Sequence, residues 1–524
     1  MNFSELYGGN IFGSIRGFDR IRFRGTIRWI ANERGIQRFA GMQNILLKYF
    51  KSWAQSKTDF VRGCCARRAK ELEIPMRYLE SGGMDKEALA REIAAKEGVR
   101  EDGSICMFSV VEPCWAPSVS GNRETKELEL HMRSRRCVWI YHYWDDPSLG
   151  FGHTRLQTWL PMTAQICLNG RHWLEKQLQA HQIAYIKDGN CFPWIADIQA
   201  AQRLLDEQLR TNWPQLLDHL VERVLPEFQS VFAPLNLEHY WSADETEFAT
   251  DVMFKSVKAL DQLFPTLVQY GMKVSDSPAV MRYLGRRKPE QSGMGQGQAP
   301  KEIRSDFRRR YEGVRIKHYI NKNSIKCYNK SGSVLRVETT INDTREFKAY
   351  RHPNDDETRE ASWQKMRKGV SDLHRRAETS SQSNERFLEA VCATQVEEKL
   401  QEVMGGPCKP IRSKSGPNHR ALNPWNDADF KLLAFLTKGE HHLNGFRNKD
   451  LRQALYPVQD ENEIERKRAS GKATRSIRLL RAHGLIRKVP KARRYVLTEK
   501  GRKFSQALII ASSIETKQLT KLAA

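Results

Sequence analysis

The chain has 524 residues and a mass of 60.7 kDa, more than one hydrophobic core usually fills, so several domains are expected. Lys and Arg outnumber Asp and Glu by 86 to 62, giving a net charge of +24 and a pI of about 9.6; the natural partner of such a field is a polyphosphate. No apolar run approaches the roughly 18 residues of a membrane span, no basic amphipathic anchor is legible, and the opening MNFSELYGGNIFGS lacks the apolar stretch of a signal peptide. The expectation is a cytoplasmic, nucleoid-associated protein with no membrane partner.

The first predicted element is a strand. From Asp19 to Arg28, Ile21, Phe23 and Ile27 alternate with Arg20, Arg22, Arg24 and Arg28, which gives one apolar and one cationic face. Arginines on one open face repel one another unless a nucleic-acid backbone or acids from elsewhere neutralise them, so Arg20, Arg22 and Arg24 are candidate nucleic-acid contacts. Residues 36–98 read mainly helical, with an amphipathic helix from Met84. From Ser104 to Leu168 five strands follow one another with short turns, an antiparallel meander closed by a helix over 170–181.

The meander carries Arg133, Arg135, Arg136 and Arg155 among Trp139, Tyr141, Tyr143, Trp144 and Trp159. That pattern could form a base-stacking platform, although aromatic residues on strands are more often core. Glu112, Glu127, Glu129, Asp145, Asp146, Asp188 and Asp197 gather around the same strands, where two or three converging carboxylates would hold the metal of a nuclease or transposase. The competing and favoured reading is acids paired with the neighbouring arginines on a solvated face. Ten cysteines without a CxxC pair read as reduced, buried thiols, and a zinc site from Cys137, His142 and His153 is conceivable only through tertiary convergence.

Residues 197–285 read as helical, with Glu245, Glu247 and Asp251 on one helical stretch as complements to a helix dipole. A Gly/Gln/Pro-rich basic linker follows Arg286. Four strands are expected over 314–320, 324–330, 334–341 and 346–350, and then a long charged helical region from Glu357 to Val403. The pair IKCYNK…VLRVE, residues 325–330 and 334–338, resembles the YDK…RIE strands of rolling-circle replication initiators and mobilisation relaxases. The resemblance covers about 25 residues and implies a tyrosine nucleophile beside a carboxylate-bound divalent metal. It places Tyr328, Lys330, Arg336 and Glu338 at the matching positions, with Tyr319 upstream as nucleophile; Asn329 departs from the usual acid. The catalytic candidates are therefore Tyr319, Tyr328 and Glu338, with Mg²⁺ as the cofactor such chemistry would use.

After a Pro/Gly/Ser linker over 405–424, Asp427 opens a helix carrying Phe430, Leu433, Ala434 and Leu436. A second helix spans Asn448 to Leu455 and a third Lys472 to Ala482, ended by Gly484. Strands at 485–489 and 495–497 join through the basic tip 490–494, and Thr498 opens a last helix. Three helices and a two-stranded wing make a winged helix-turn-helix. Between Ile464 and Arg494 twelve Lys/Arg face one acid, Glu465. Arg468, Lys472, Arg475, Arg478 and Arg481 on the helix, and Lys488, Lys491, Arg493 and Arg494 on the wing, are where a duplex reader needs its donors. The stretch IRLLRAHGLIRKVPKARRYVLTEKGRKF, residues 477–504, resembles the C-terminal half of MarR-like winged helices. Along most of its length the chain resembles a bacterial group labelled as MarR-like regulators.

The sequence thus predicts an α+β, multidomain chain with antiparallel β-rich N-terminal and middle regions, helical segments and a C-terminal winged helix-turn-helix. The expected segments are 1–200, 201–285, 286–313, 314–404, 405–424 and 425–524. The expected partner is DNA, with RNA and self-association left open. Two functions of different class remain: a DNA-processing protein of a mobile element, cutting or joining strands with a metal, and a non-catalytic winged-helix transcriptional regulator.

Overall fold

The structure, a computed structural model, describes residues 7–275, 277–285, 303–310, 313–353, 358–391, 400–412, 417–436, 445–457, 463–490 and 492–513, together with Phe3 and His441. It is mixed α+β and divides into two compact units built from separated stretches of chain. The larger comprises Ser14–Asp251 and Glu338–Ser381, the smaller Met1–Gly13, Val252–Val337 and Gln382–Ala524.

In the larger unit the chain forms β1 (Ile11–Thr26), β2 (Met76–Leu79), β3 (Ser104–Gly121), β4 (Leu128–Asp146), β5 (Gly150–Gln157), β6 (Ala164–Asn169), the short pair β7 (Tyr185–Ile186) and β8 (Trp194–Ile195), and β9 (Tyr240–Phe254). From β3 to β6 successive strands pair antiparallel, a meander of four strands rather than the expected five because the expected strands over 127–131 and 137–144 run together as β4, while β2 joins β3 in parallel and β1 pairs with β6. The result is a large mixed sheet in which β9 and β1 are neighbours. Period-two alternation sends the two faces of β4 into different cores. Ile140 and Trp144 pack with Phe23, Trp213 and the helix Phe50–Glu71, whereas Trp139, Tyr141 and Tyr143 pack against Ala90 and Ile93 of the helix Lys86–Glu97. Each of these large side chains contributes about 1.5–3 kcal/mol by leaving water. Four of the five aromatics of the sought stacking platform, Trp139, Tyr141, Tyr143 and Trp144, are thus core residues, and Trp159 is half-buried.

Three expectations fail on backbone grounds. Residues 240–254 are a strand, not helix: the run is rich in Thr, Val and aromatic residues, which suit a pleated surface, and its acids had suggested a helix. Within the supposed linker, Ile303–Arg310 is strand β10, paired with β11 (Gly313–Ile320), which continues through β12 (Asn323–Lys330) to β13 (Val334–Ile341); residues 286–302 lie outside the described residues. The supposed long helix from Glu357 holds instead strand β15 (Ser362–Lys365), paired with β14 (Lys348–Arg351), before a helix over Leu373–Val391.

In the smaller unit, Tyr283 packs edge-on against Phe387 at 5.3 Å. A separate core joins Leu432, Leu433, Leu436, Leu451, Ile477, Leu480, Leu485, Leu497 and Phe504. Helices Asp427–Leu436, Asn448–Leu455, Glu463–Ala482 and Glu499–Ser513 surround it, with the short strands β16 (Ile486–Lys488) and β17 (Tyr495–Leu497). Gly484, at φ +71°, ends the third helix in a left-handed turn that favours glycine. The nine described cysteines are free thiols; Cys392 lies outside the described residues.

Candidate functional site

The alternation of β1 holds through Arg20, Arg22 and Arg24, but slips just before them. Phe18 and Ile21, three residues apart, both enter the core, so Asp19 and Arg20 occupy a local irregularity. In β9 the same happens between Ala243 and Phe248. The acids of that second irregularity answer the arginines of the first. Arg20 Nη2 lies 2.8 Å from Glu245 and 3.3 Å from Glu247, Arg22 lies 3.6 Å from Glu245, and Arg24 Nε donates to Asp244 at 2.5 Å. Burial lowers the proton affinity of Arg20, yet Glu247 and Glu245 outweigh it and hold the guanidinium above its ordinary value. Of the two readings of the ladder, neutralisation by acids from elsewhere is the one the structure contains.

Below this ladder three carboxylates converge. One oxygen each from Asp19 of β1, Glu247 of β9 and Glu338 of β13 lie within 4.8 Å of one another, and Asp19 and Glu338 are buried. Asn190 Nδ2 donates to Asp19 Oδ1 at 2.8 Å. Arg171, wholly buried at the first turn of the helix Gly170–Ala180, places Nη2 2.9 Å from Asp251 and Nε 4.0 Å from Asp19. The preceding residue must be glycine, because a Cβ at position 170 would stand 1.8 Å from the Phe18 carbonyl oxygen. That close approach starts the helix against β1 and aims Arg171 at the acids.

All three donors are hard oxygens, the set that suits Mg²⁺ or Mn²⁺ rather than zinc. Oxygens at the 2.0–2.1 Å bond length of Mg²⁺ stand about 3–4.2 Å apart, so small side-chain movements would let this group share one ion. Among the described residues it is the group of acidic side chains placed closely enough to share an ion. Glu338 was legible as a candidate from its strand. Asp19 and Glu247 were not, because the first read as the start of a cationic strand and the second as part of a helix.

The other candidates are not members of this group. Tyr319 and Tyr328 belong to the smaller unit and Glu338 to the larger. Tyr319 is half-buried, with Arg304 4.4 Å and Lys317 4.6 Å from its ring centroid, and burial together with Asp306 raises its hydroxyl above the usual value. A hydroxyl so held is a poorer nucleophile. The carboxylates of the meander are dispersed among structural bonds. Glu112 accepts from Tyr141 at 2.7 Å and pairs with Lys86 at 3.0 Å and with Arg155; Asp146 pairs with Arg223 at 2.8 Å; Asp145 pairs with Lys176 at 3.2 Å; Asp197 caps a helix. Of the considered zinc ligands, His142 is buried on Ser104 Oγ at 3.0 Å and His153 is held to about 4 by burial.

In the smaller unit, the helix Glu463–Ala482 begins a full two turns before the expected Lys472. Ala469, Ala473, Ile477 and Leu480 face its core, while Arg468, Lys472, Arg475, Arg478 and Arg481 are exposed. Asn448 Nδ2 donates to Thr474 Oγ1 at 2.9 Å, and Tyr456 Oη lies 3.0 Å from Ser476 Oγ, so the preceding helix braces it. No ion pair to these five cations occurs among the described residues. On β16, Arg487 and Lys488 are exposed, and in the connection before β17 Arg493 is exposed and Arg494 half-buried; Lys491 lies outside the described residues.

Compared with protein-family models, with curated proteins and with solved structures, the chain matches none of them.

Proposed function

We propose that this is a DNA-processing protein of the mobile-element kind, in which residues 425–524 form a MarR-like winged helix-turn-helix that docks on duplex DNA. The observation that carries the reading is the row Arg468, Lys472, Arg475, Arg478 and Arg481, exposed on one helix and unneutralised among the described residues. Such a row laid in a major groove meets phosphates and base edges at once. Arg487 and Lys488 on β16, with Arg493 and Arg494 in the connection to β17, would track the flanking backbone.

In the larger unit, Asp19, Glu247 and Glu338 would hold Mg²⁺, which polarises a phosphoryl group and activates a water or hydroxyl for strand cleavage or transfer. Arg20 and Arg171 would steady the charge that develops on the phosphoryl oxygens. The second reading is a regulator without catalysis. What favours it is that Arg20 already binds Glu247, so the carboxylates have a structural occupation without any metal.

The test uses labelled duplexes with Mg²⁺ or EDTA. Reversal of charge in Arg475→Glu/Arg478→Glu is expected to weaken duplex binding at least tenfold; unchanged affinity would remove the groove-docking part of the proposal. Metal-dependent nicking abolished by Glu338→Gln supports the enzyme, and tight binding without cleavage supports the regulator.

A further inference from the structure

The hairpin of β14 and β15 is amphipathic in an unusual sense. Its inner side packs Phe347, Ala349 and Met366, all buried. On its outer side the register sets Lys348 opposite Lys365 and Tyr350 opposite Trp363. Tyr350 and Trp363 are 60% and 65% exposed, among the most exposed large apolar side chains of the described residues, and their rings meet edge to face at 5.6 Å. The two lysines are exposed as well, and neither forms an ion pair among the described residues. Like charges directly opposite on a strand pair repel, and exposed aromatics this large are seldom left unused, so the face suits a ligand that is both anionic and planar.

The hairpin is also fixed to the strand that carries Glu247. Three residues beyond Lys365, the Lys368 carbonyl accepts from Ala243 N at 3.0 Å, Lys368 pairs with Asp244, and Gly369 bridges to Ser242. Ala243 and Glu247 are four residues apart on β9, about 13 Å along a strand.

We infer that the outer face of this hairpin binds unpaired nucleotides, with bases stacked on Tyr350 and Trp363 and phosphates against Lys348 and Lys365, on the approach to the Asp19, Glu247 and Glu338 carboxylates. Stacking on an aromatic face needs a base free of its duplex, and lysine contacts to phosphate are indifferent to sequence, so the ligand is a single strand of any composition. The inference rests on the nucleic-acid reading above, and it adds that the substrate carries an unpaired segment.

Binding of the full-length protein to an oligo(dT) of about 12 nucleotides, followed by anisotropy and by tryptophan fluorescence, tests it. The wild type is expected to bind with quenching. Trp363→Ala is expected to weaken binding about tenfold, and Lys348→Glu/Lys365→Glu to weaken it and flatten its salt dependence. All these side chains are exposed, so an unchanged urea midpoint verifies that the variants fold. Arg475→Glu/Arg478→Glu is expected to lose duplex binding and retain oligo(dT) binding, which separates failure of this inference from failure of the duplex reading. Oligo(dT) affinity unchanged in the hairpin variants, or lost in the helix variant instead, would overturn it. So would Trp363-dependent attachment to phosphatidylserine vesicles in place of oligo(dT).

Discussion

Arg171 shows how much rests on single side chains in the larger unit. Its guanidinium is wholly buried between Asp251 and Asp19, so removing it leaves carboxylates without their partner in a place where water does not reach. Arg171→Met is expected to cost about 3–5 kcal/mol in urea unfolding. If the three carboxylates hold a divalent ion, added Mg²⁺ should recover part of that loss. The histidines make a second expectation at this scale. Burial holds His142 to about 3 and His239 and His153 to about 4, well below the free imidazole. A histidine whose folded value is depressed stays neutral in the fold and takes up its proton on unfolding. Its stabilisation is complete above about pH 6.5 and is lost as pH falls toward 4. Urea midpoints should therefore decline between pH 6.5 and 4, before the carboxylates titrate. Replacement of His142 by Gln should shrink the decline, and a midpoint flat across that window would contradict the burial of these rings.

Among the elements, the junction of β1 with the helix Gly170–Ala180 places Arg171 against Asp19 and Asp251. Gly170→Ala forces a Cβ onto the Phe18 carbonyl oxygen, at 1.8 Å, so helix and strand must separate. A loss of about 2–4 kcal/mol is expected, of the order seen for overpacking and backbone displacement, with a weaker response of the unfolding midpoint to Mg²⁺ than in the parent chain. The ladder between β1 and β9 is a contrasting case. Arg20, Arg22 and Arg24 are each more than two-fifths exposed at their side chains, so any one of their ion pairs is worth no more than a fraction of a kcal/mol to about 1. Their part is to fix the register of two strands whose acids are otherwise mutually repulsive.

For the molecule as a whole, the net charge of +24 sets the electrostatic reach. If Arg468, Lys472, Arg475, Arg478 and Arg481 each displace one counterion, duplex affinity should fall about 10²–10³-fold between 50 and 200 mM salt. A slope that Arg475→Glu/Arg478→Glu leaves unaltered would mean that other cations do the binding. No helix among the described residues is long and apolar enough to cross a membrane, in keeping with the even spread of charge along the chain.

What could be read from the amino acids alone was local. Alternation of Ile and Phe with Arg gave β1, apolar spacing gave the helices Asp427–Leu436 and Asn448–Leu455, Gly484 gave the end but not the start of the helix Glu463–Ala482, and the meander followed from strands separated by tight turns, because period and glycine stops act within a few residues. The strand at 240–254 was misread for the same reason: Glu245, Glu247 and Asp251 favour a helix locally, and only pairing beside the arginines of β1 makes them tolerable in a sheet. Which face of an aromatic strand is covered was likewise undecidable until the helix Lys86–Glu97 lay over Tyr141 and Tyr143. The carboxylate group was beyond reach of any pattern, since Asp19, Glu247 and Glu338 come from three strands far apart in the chain, and their meeting is a consequence of strand order alone.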